Sequence, residues 1–169
     1  MPRITEQQGI GRNLRAFLYV LAWSELGSDY LKRSGDGYNV IVTGIDGKLE
    51  MFTDYSTHPF SGGRKSKLIN SKGLTSNASG RYQQMLKDWP HYRDLLKLPD
   101  FGSLSQDKLA IQHIIECRAL PDVIAGRVEA AVDKCRNIWA SLLGAGYGQR
   151  EHRMQDLIAQ YERALKVLP

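Results

Sequence analysis

The chain has 169 residues, 42% of them hydrophobic and 24% charged, enough apolar material for one cored domain of one or two lobes. No apolar run approaches the length of a bilayer span, which excludes membrane-spanning helices. The net charge of +5 favours polyanionic partners, either nucleic acid or an anionic cell-wall polymer.

Residues 1–11 are polar and lack the apolar stretch of a secretory signal, so the chain is expected to be made in the cytoplasm. The first helix is predicted over 13–25, ending near Gly27. Leu14, Leu18, Leu21 and Glu25 follow the spacing i, i+4, i+7, i+11, which places them in one stripe about 60° wide. Phe17 lies at its edge. The stripe is apolar except for the carboxylate at its end. A carboxyl there is poorly solvated, so its charged form is disfavoured and its pKa rises. A carboxylic acid still protonated near neutral pH is the proton donor that cleavage of a glycosidic bond requires. The competing reading is a last-turn glutamate pointing into water.

Residues 28–37 read as polar and irregular. Residues 38–43 read as a strand rich in β-branched side chains. Asp46-Gly47 marks a turn, and 48–53 reads as the return strand. A third short strand is expected at 54–57. Residues 59–79 show no regular period and are expected to form a long surface loop. It holds the one dense basic cluster, Arg64, Lys65, Lys67 and Lys72, readable as a solvated loop or as a polyanion contact.

Beyond Gly80 the pattern turns helical. A short helix is expected at 81–87. The next runs to about residue 97, with Asp88 at its cap and Pro90 in its first turn. Ser103 or Ser105 caps a helix whose buried face holds Leu109, Ile111, Ile114, Ile115 and Leu120. Pro121 opens a short helical turn. Residues 126–138 follow, with Val128, Ala131, Val132 and Cys135 aligned. Residues 141–149 form a Gly-rich loop, and 150–165 close the chain as a helix with Met154, Leu157, Ile158, Tyr161 and Leu165 on one face. The two cysteines, Cys117 and Cys135, lie outside any CxxC pair and are expected as free thiols. His58, His91, His113 and His152 show no metal-ligand spacing, so neither a metal site nor a cofactor is expected.

The pattern is α+β: one domain over 1–169, with a small hairpin lobe at about 28–79 and a helical lobe from 12–27 and 80–166. A cleft between two such lobes suits an extended polymer, with Glu25 at its edge.

Five segments, in order, share features with a known family. They are Leu21-Ala22-Trp23-Ser24-Glu25, Gly37-Tyr38-Asn39-Val40-Ile41-Val42, Phe52-Thr53-Asp54-Tyr55-Ser56-Thr57-His58-Pro59, Gly80-Arg81-Tyr82-Gln83, and the run from Asn137-Ile138-Trp139-Ala140-Ser141 to Gly144-Ala145-Gly146-Tyr147-Gly148-Gln149. Together they resemble the lambda-type phage endolysins, lysozyme-like lytic transglycosylases of glycoside hydrolase family 104. The resemblance covers roughly residues 13–165.

The resemblance implies a lysozyme-like fold and one catalytic residue, Glu25. It would protonate the β-1,4 bond between N-acetylmuramic acid and N-acetylglucosamine, then accept the proton of the C6 hydroxyl that closes a 1,6-anhydro ring. The same resemblance implies that Tyr55, Ser56, His58, Arg81, Tyr82, Gln83, Tyr147 and Gln149 bind the glycan. His58 is given no acid–base part, and Trp139 reads as core. Members often carry Asp after the Gly-Tyr pair, where this chain has Asn39. A carboxylate there is therefore not essential if the protein is active. Insertions at 43–52 and 60–72 lengthen this chain relative to the pattern.

Asp29, Asp36 and Asp54 are the conceivable second carboxylates, though Asp is favoured at turns for its backbone hydrogen bonds. With one of them, the alternative is a hydrolytic muramidase acting on the same bond. The expected partner is the peptidoglycan glycan strand. Nucleic acid is not expected, for lack of a recognition motif or of basic–aromatic interleaving. The protein is further expected to be a monomer without stable membrane insertion. It would wait in the host cytoplasm until a holin-type protein opens the way to the wall.

Overall fold

The computed structural model describes residues 1–4, 11–146 and 151–168. They group into two compact units, Met1–Gly27 with Asp107–Pro169, and Ser28–Gln106.

The first unit is helical. Helix α1 spans Arg12–Arg33 and is interrupted at Gly27, whose φ of 70° and ψ of 167° are not helical. Nothing crowds Gly27, so its constraint is backbone conformation alone. The expected stop at Gly27 is thus a break, after which the helix resumes and takes up part of the stretch expected to be irregular. Leu14, Phe17, Leu18 and Leu21 are all buried, as the stripe requires. Helices α3 (Ser103–Glu116), α4 (Leu120–Ile124), α5 (Val128–Cys135) and α6 (Met154–Val167) complete the helical set.

Val128, Ala131, Val132 and Cys135 are buried together along α5, and Leu157, Tyr161 and Ala164 along α6. In α3, Leu109 and Ile114 are buried, but Ile115 is exposed, because it falls outside the face that those two define. Leu120 belongs to α4 instead. Asp107 is buried and accepts hydrogen bonds from the backbone N–H groups of Arg3 and Ile4, at 2.7 and 2.9 Å, tying the first residues to α3. Cys117 and Cys135 are free thiols. Trp139 is buried.

The second unit is built on two antiparallel hairpins. Strand β1 (Val40–Ile41) pairs with β2 (Glu50–Met51), and β3 (Lys67–Leu68) with β4 (Thr75–Ser76). The first hairpin is where the turn signal puts it, but with shorter strands. Three expectations need correction. Residues 54–57 are not a strand; the side chain of Asp54 accepts the Ser56 N–H and turns the chain. The stretch expected as an irregular loop carries the second hairpin. Its turn is closed by Asn70, which accepts the N–H groups of Lys72 and Leu74.

Residues 81–87 are turns rather than a helix. Gln83 has φ of 49°, and Ser79 bridges to Gln84 across the bend. Gly80 is needed there: its φ is 78°, and a Cβ would lie 2.2 Å from Gln106 Oε1. Gln106, fully buried, accepts the Arg81 N–H and donates to the carbonyls of Tyr38 and Phe101. These bonds join residues 80–106 to the hairpins.

Helix α2 (Trp89–Leu96) starts with proline as expected, but the Asp88 side chain makes no capping bond. Trp89, Phe101, His58 and Phe52 pack as a connected ring cluster, with centroids 4.8 to 6.0 Å apart.

Candidate active site

Glu25 stands at the end of the buried stripe of α1, and its neighbours come from the far end of the same unit. Part of its surface reaches solvent, yet its carboxyl is crowded. Ser141 Oγ lies 2.6 Å from Glu25 Oε1 and 3.0 Å from Ser24 Oγ. Ser24 Oγ donates back to the Leu21 carbonyl at 2.9 Å. Loss of solvation pushes the Glu25 pKa up to about 7, against the hydrogen bonds from the Ser141 side chain and backbone, which favour the charged form. At neutral pH the group is shared between acid and base.

Two contacts hold Ser141 in place. Its carbonyl accepts the His152 N–H at 3.0 Å, and the His152 ring, through Nε2, donates to the Ser24 carbonyl at 3.1 Å. That ring lies 4.4 Å from the Trp23 ring. Glu151 accepts the N–H groups of Gly144 and Gly146. The backbone bonds draw the Glu151 pKa down, so it is a charged acceptor and not a proton donor. Residue pattern alone singles out neither Ser24, Ser141 nor His152. The only signals are a serine beside the glutamate and a histidine just beyond the glycines.

The remaining expected residues fall in the second unit, with two exceptions. Tyr147 and Gln149 lie outside the described residues. Tyr55 is half-buried and Ser56 exposed. His58 is fully buried; its Nε2–H donates to the Gln84 carbonyl at 3.0 Å, and Nδ1 accepts the Phe60 N–H at 3.3 Å. Burial lowers its pKa, with the Gln84 bond opposing, so the ring is neutral.

Arg81 is fully buried. It pairs with Asp36 at 2.8 Å and also donates to the Asp36 carbonyl. Its guanidinium lies 5.1 Å from the Tyr38 ring centroid. Tyr82 is buried as well, while Gln83 is half-buried with its amide donating to the Gly80 carbonyl at 2.9 Å. His58, Arg81 and Tyr82 thus have visible structural duties. Beside them, Phe52, Asp54, Thr57, Pro59, Gly62 and Arg64 line a pocket of about 410 Å³ that has His58 at its wall.

The three conceivable second carboxylates are all engaged. Asp29 pairs with Arg33 at 2.9 Å, and Asp36 with Arg81. Asp54 holds Ser56, and those hydrogen bonds lower its pKa. Asn39 uses its side-chain oxygen to accept the Gly35 N–H at 2.9 Å. No group of three or more potential metal ligands occurs among the described residues.

A helical unit whose buried α1 stripe ends on a poorly solvated glutamate, with a hairpin unit inserted in sequence between its two segments, is the arrangement of a lysozyme-like glycan-cleaving enzyme. A family model described as Endolysin matches residues 15–168, and the chain belongs to that family of peptidoglycan-degrading enzymes. Within it, the chain is of the lambda type. It is 56% identical over 164 residues to the endolysin of Escherichia phage P2, covering 97% of each chain. It is 48% identical over 157 residues to the endolysin of Escherichia phage lambda, covering 92% of each. Bacteriophage lambda lysozyme, solved in complex with a chitohexasaccharide, matches with a TM-score of 0.81 and 46% identity, over 92% of this chain and 95% of that one. A second structure of lambda lysozyme matches with a TM-score of 0.76. Among the described residues, no helix is long and apolar enough to cross a membrane.

Proposed function

We propose that this endolysin cleaves the β-1,4 bond between N-acetylmuramic acid and N-acetylglucosamine by lytic transglycosylation, for release of phage from its host. Glu25, protonated, gives its proton to the bridging oxygen as positive charge develops on the sugar ring. The muramic C6 hydroxyl attacks C1 of the same ring, and the Glu25 carboxylate takes the proton that this hydroxyl sheds. One carboxyl serves both half-steps, and no water is consumed. A group titrating near 7 suits a residue that must be acid and then base at one pH.

The observation that carries this reading over hydrolysis is the employment of the aspartates. Asp29, Asp36 and Asp54 each hold a cation or a backbone turn, so none of the three is a ready carboxylate partner for Glu25. Tyr55, Ser56 and Gln83, which have solvent-facing surface, are proposed to contact the glycan, and sequence resemblance adds Tyr147 and Gln149. His58, Arg81 and Tyr82 are proposed to act by holding that surface in shape. The lysozyme match solved with a chitohexasaccharide is consistent with an N-acetylated glycan as ligand. Access to the wall is proposed to follow membrane permeabilisation by a holin-type protein.

The test is mass analysis of digested, purified peptidoglycan. Fragments ending in 1,6-anhydromuramic acid, one water lighter than hydrolysed ends, are expected. Reducing muramic ends would reassign the enzyme as a muramidase that recruits one of the aspartates.

A further inference from the structure

The two serines beside Glu25 set a problem of hydrogen counting. Each hydroxyl has one proton to give and lone pairs to receive with. The proton of Ser24 goes to the Leu21 carbonyl, 2.9 Å away, which can only accept. The single proton of Ser141 then has two claimants, Ser24 Oγ at 3.0 Å and Glu25 Oε1 at 2.6 Å. Which one receives it depends on the charge of Glu25. An ionised carboxylate is much the stronger acceptor, and 2.6 Å is the length of a charge-assisted O–H···O⁻ bond. A protonated carboxyl is a weak acceptor at its carbonyl oxygen and a donor at its hydroxyl, so Ser24 Oγ then becomes the better destination.

We propose that Ser141 is a positioning residue whose hydroxyl proton changes partner with the state of Glu25, to Glu25 Oε1 when the carboxyl is ionised and to Ser24 Oγ when it is protonated. This rests on the reading of Glu25 as the acid and base of the reaction. Its consequence is that both half-steps find the carboxyl satisfied without displacement of a heavy atom. A rotation of one hydroxyl replaces a side-chain movement. When the carboxyl is ionised, Oε1 accepts from Ser141; when it is protonated, its Oε1–H donates to Ser141 Oγ, whose own proton has passed to Ser24.

The frame is rigid because Ser24 and Ser141 are both buried and are braced by His152, through its backbone on Ser141 and its ring on Ser24. Among the described residues, His152 is the titratable group bonded to this frame, and Glu151 lies next to it in sequence. Both act on backbone, His152 on the Ser24 carbonyl and Glu151 on the glycine N–H groups. Among the described residues, Ser141 is the hydrogen-bond partner that shifts Glu25.

The experiment follows the Glu25 side-chain carboxyl by carbon NMR across pH in the full-length protein and in Ser141→Ala, Ser141→Thr and Ser24→Ala. Glycan-cleavage pH profiles are recorded on the same samples. Ser141→Ala removes the donor to the carboxylate and is expected to raise the Glu25 midpoint by about one pH unit. Ser141→Thr restores it. Ser24→Ala removes the alternative acceptor that the protonated state uses, so the midpoint is expected to fall, by less than one unit. These opposite signs are the signature of an exchange.

A fixed Ser141–Glu25 bond would leave the Ser24→Ala midpoint unmoved, which overturns the proposal. So would an unshifted midpoint in Ser141→Ala. Because the titration needs no substrate, it stands apart from the catalytic reading: activity surviving in Glu25→Gln would sink that reading and leave these shifts as they are.

Discussion

Glu25 and Glu50 are the same side chain driven in opposite directions by their two units. Glu25 ends an apolar helical stripe, faces two serines, and holds its proton up to about pH 7 because its surroundings solvate charge poorly. Glu50, on the first hairpin, is drawn below the ordinary range by its hydrogen bonds to Lys67 and Arg64. Asp54, nearby in sequence, is lowered by the bonds it accepts from Ser56. Glu25 is left short of compensation, whereas Glu50 and Asp54 are compensated by their hydrogen-bond partners. Proton transfer near neutral pH belongs to the former kind; turn-holding and cation pairing belong to the latter.

The sharpest way to break this contrast is a pair of isosteric changes. Glu25→Gln is expected to cut wall lysis by roughly 10³-fold or more, since it removes the only donor assigned. Asp54→Asn, measured in the same turbidity assay, is expected to stay within about threefold, because an amide oxygen still accepts the Ser56 N–H. Equal losses would mean that the hairpin supplies a second catalytic carboxylate.

Arg81 sharpens the contrast from the side of structure. Arg81→Met removes the buried guanidinium that pairs with Asp36 and is expected to cost about 3 kcal/mol in urea unfolding, the scale of breaking a buried pair. A glycan-contacting arginine would instead leave unfolding unchanged and raise KM.

The raised pKa of Glu25 also makes a stability prediction. Its folded pKa lies above the unfolded 4.5, so between these values the folded state binds more protons. Stability is therefore lost as pH rises from about 4.5 to 7. Glu25→Gln escapes that loss, so the variant is expected to gain about 2 kcal/mol over the parent at pH 8, after discounting for partial exposure, and little at pH 4. A variant without pH-dependent gain would show the carboxyl to be well solvated.

The smallest effect is expected at Glu50. The side chains of Glu50 itself and its partner Arg64 are exposed, so Glu50→Gln should cost no more than about 0.5 kcal/mol, and less in added salt. Its lowered pKa gives the opposite pH trend: the contribution is present at neutral pH and disappears as pH falls through the folded value.

Much of the first unit was legible because helical periodicity is a local signal. Leu14, Leu18, Leu21 and Glu25 define the stripe by spacing alone, as Val128, Ala131, Val132 and Cys135 define the buried face of α5. The hairpin turn at Asp46-Gly47 was legible for the same local reason. The second hairpin was not, since its strands are two residues each and too short to show alternation. The stretch after Gly80 misleads because Arg81, Tyr82 and Gln83 have ordinary helical propensity. Their conformation is dictated by Gln106, a partner distant in sequence. Ser141 is hidden for a related reason. Its contact with Glu25 spans 116 positions, and a serine at a loop start carries no mark of its partner.

The proposed reaction needs Glu25 to work alone, with the muramic C6 hydroxyl as the nucleophile. Digesting purified peptidoglycan in heavy-oxygen water and weighing the new glycan ends examines that claim directly. Ends carrying an anhydro ring and no heavy oxygen are the predicted result; heavy oxygen built into the muramic C1 position would show that water attacks there, and would contradict it.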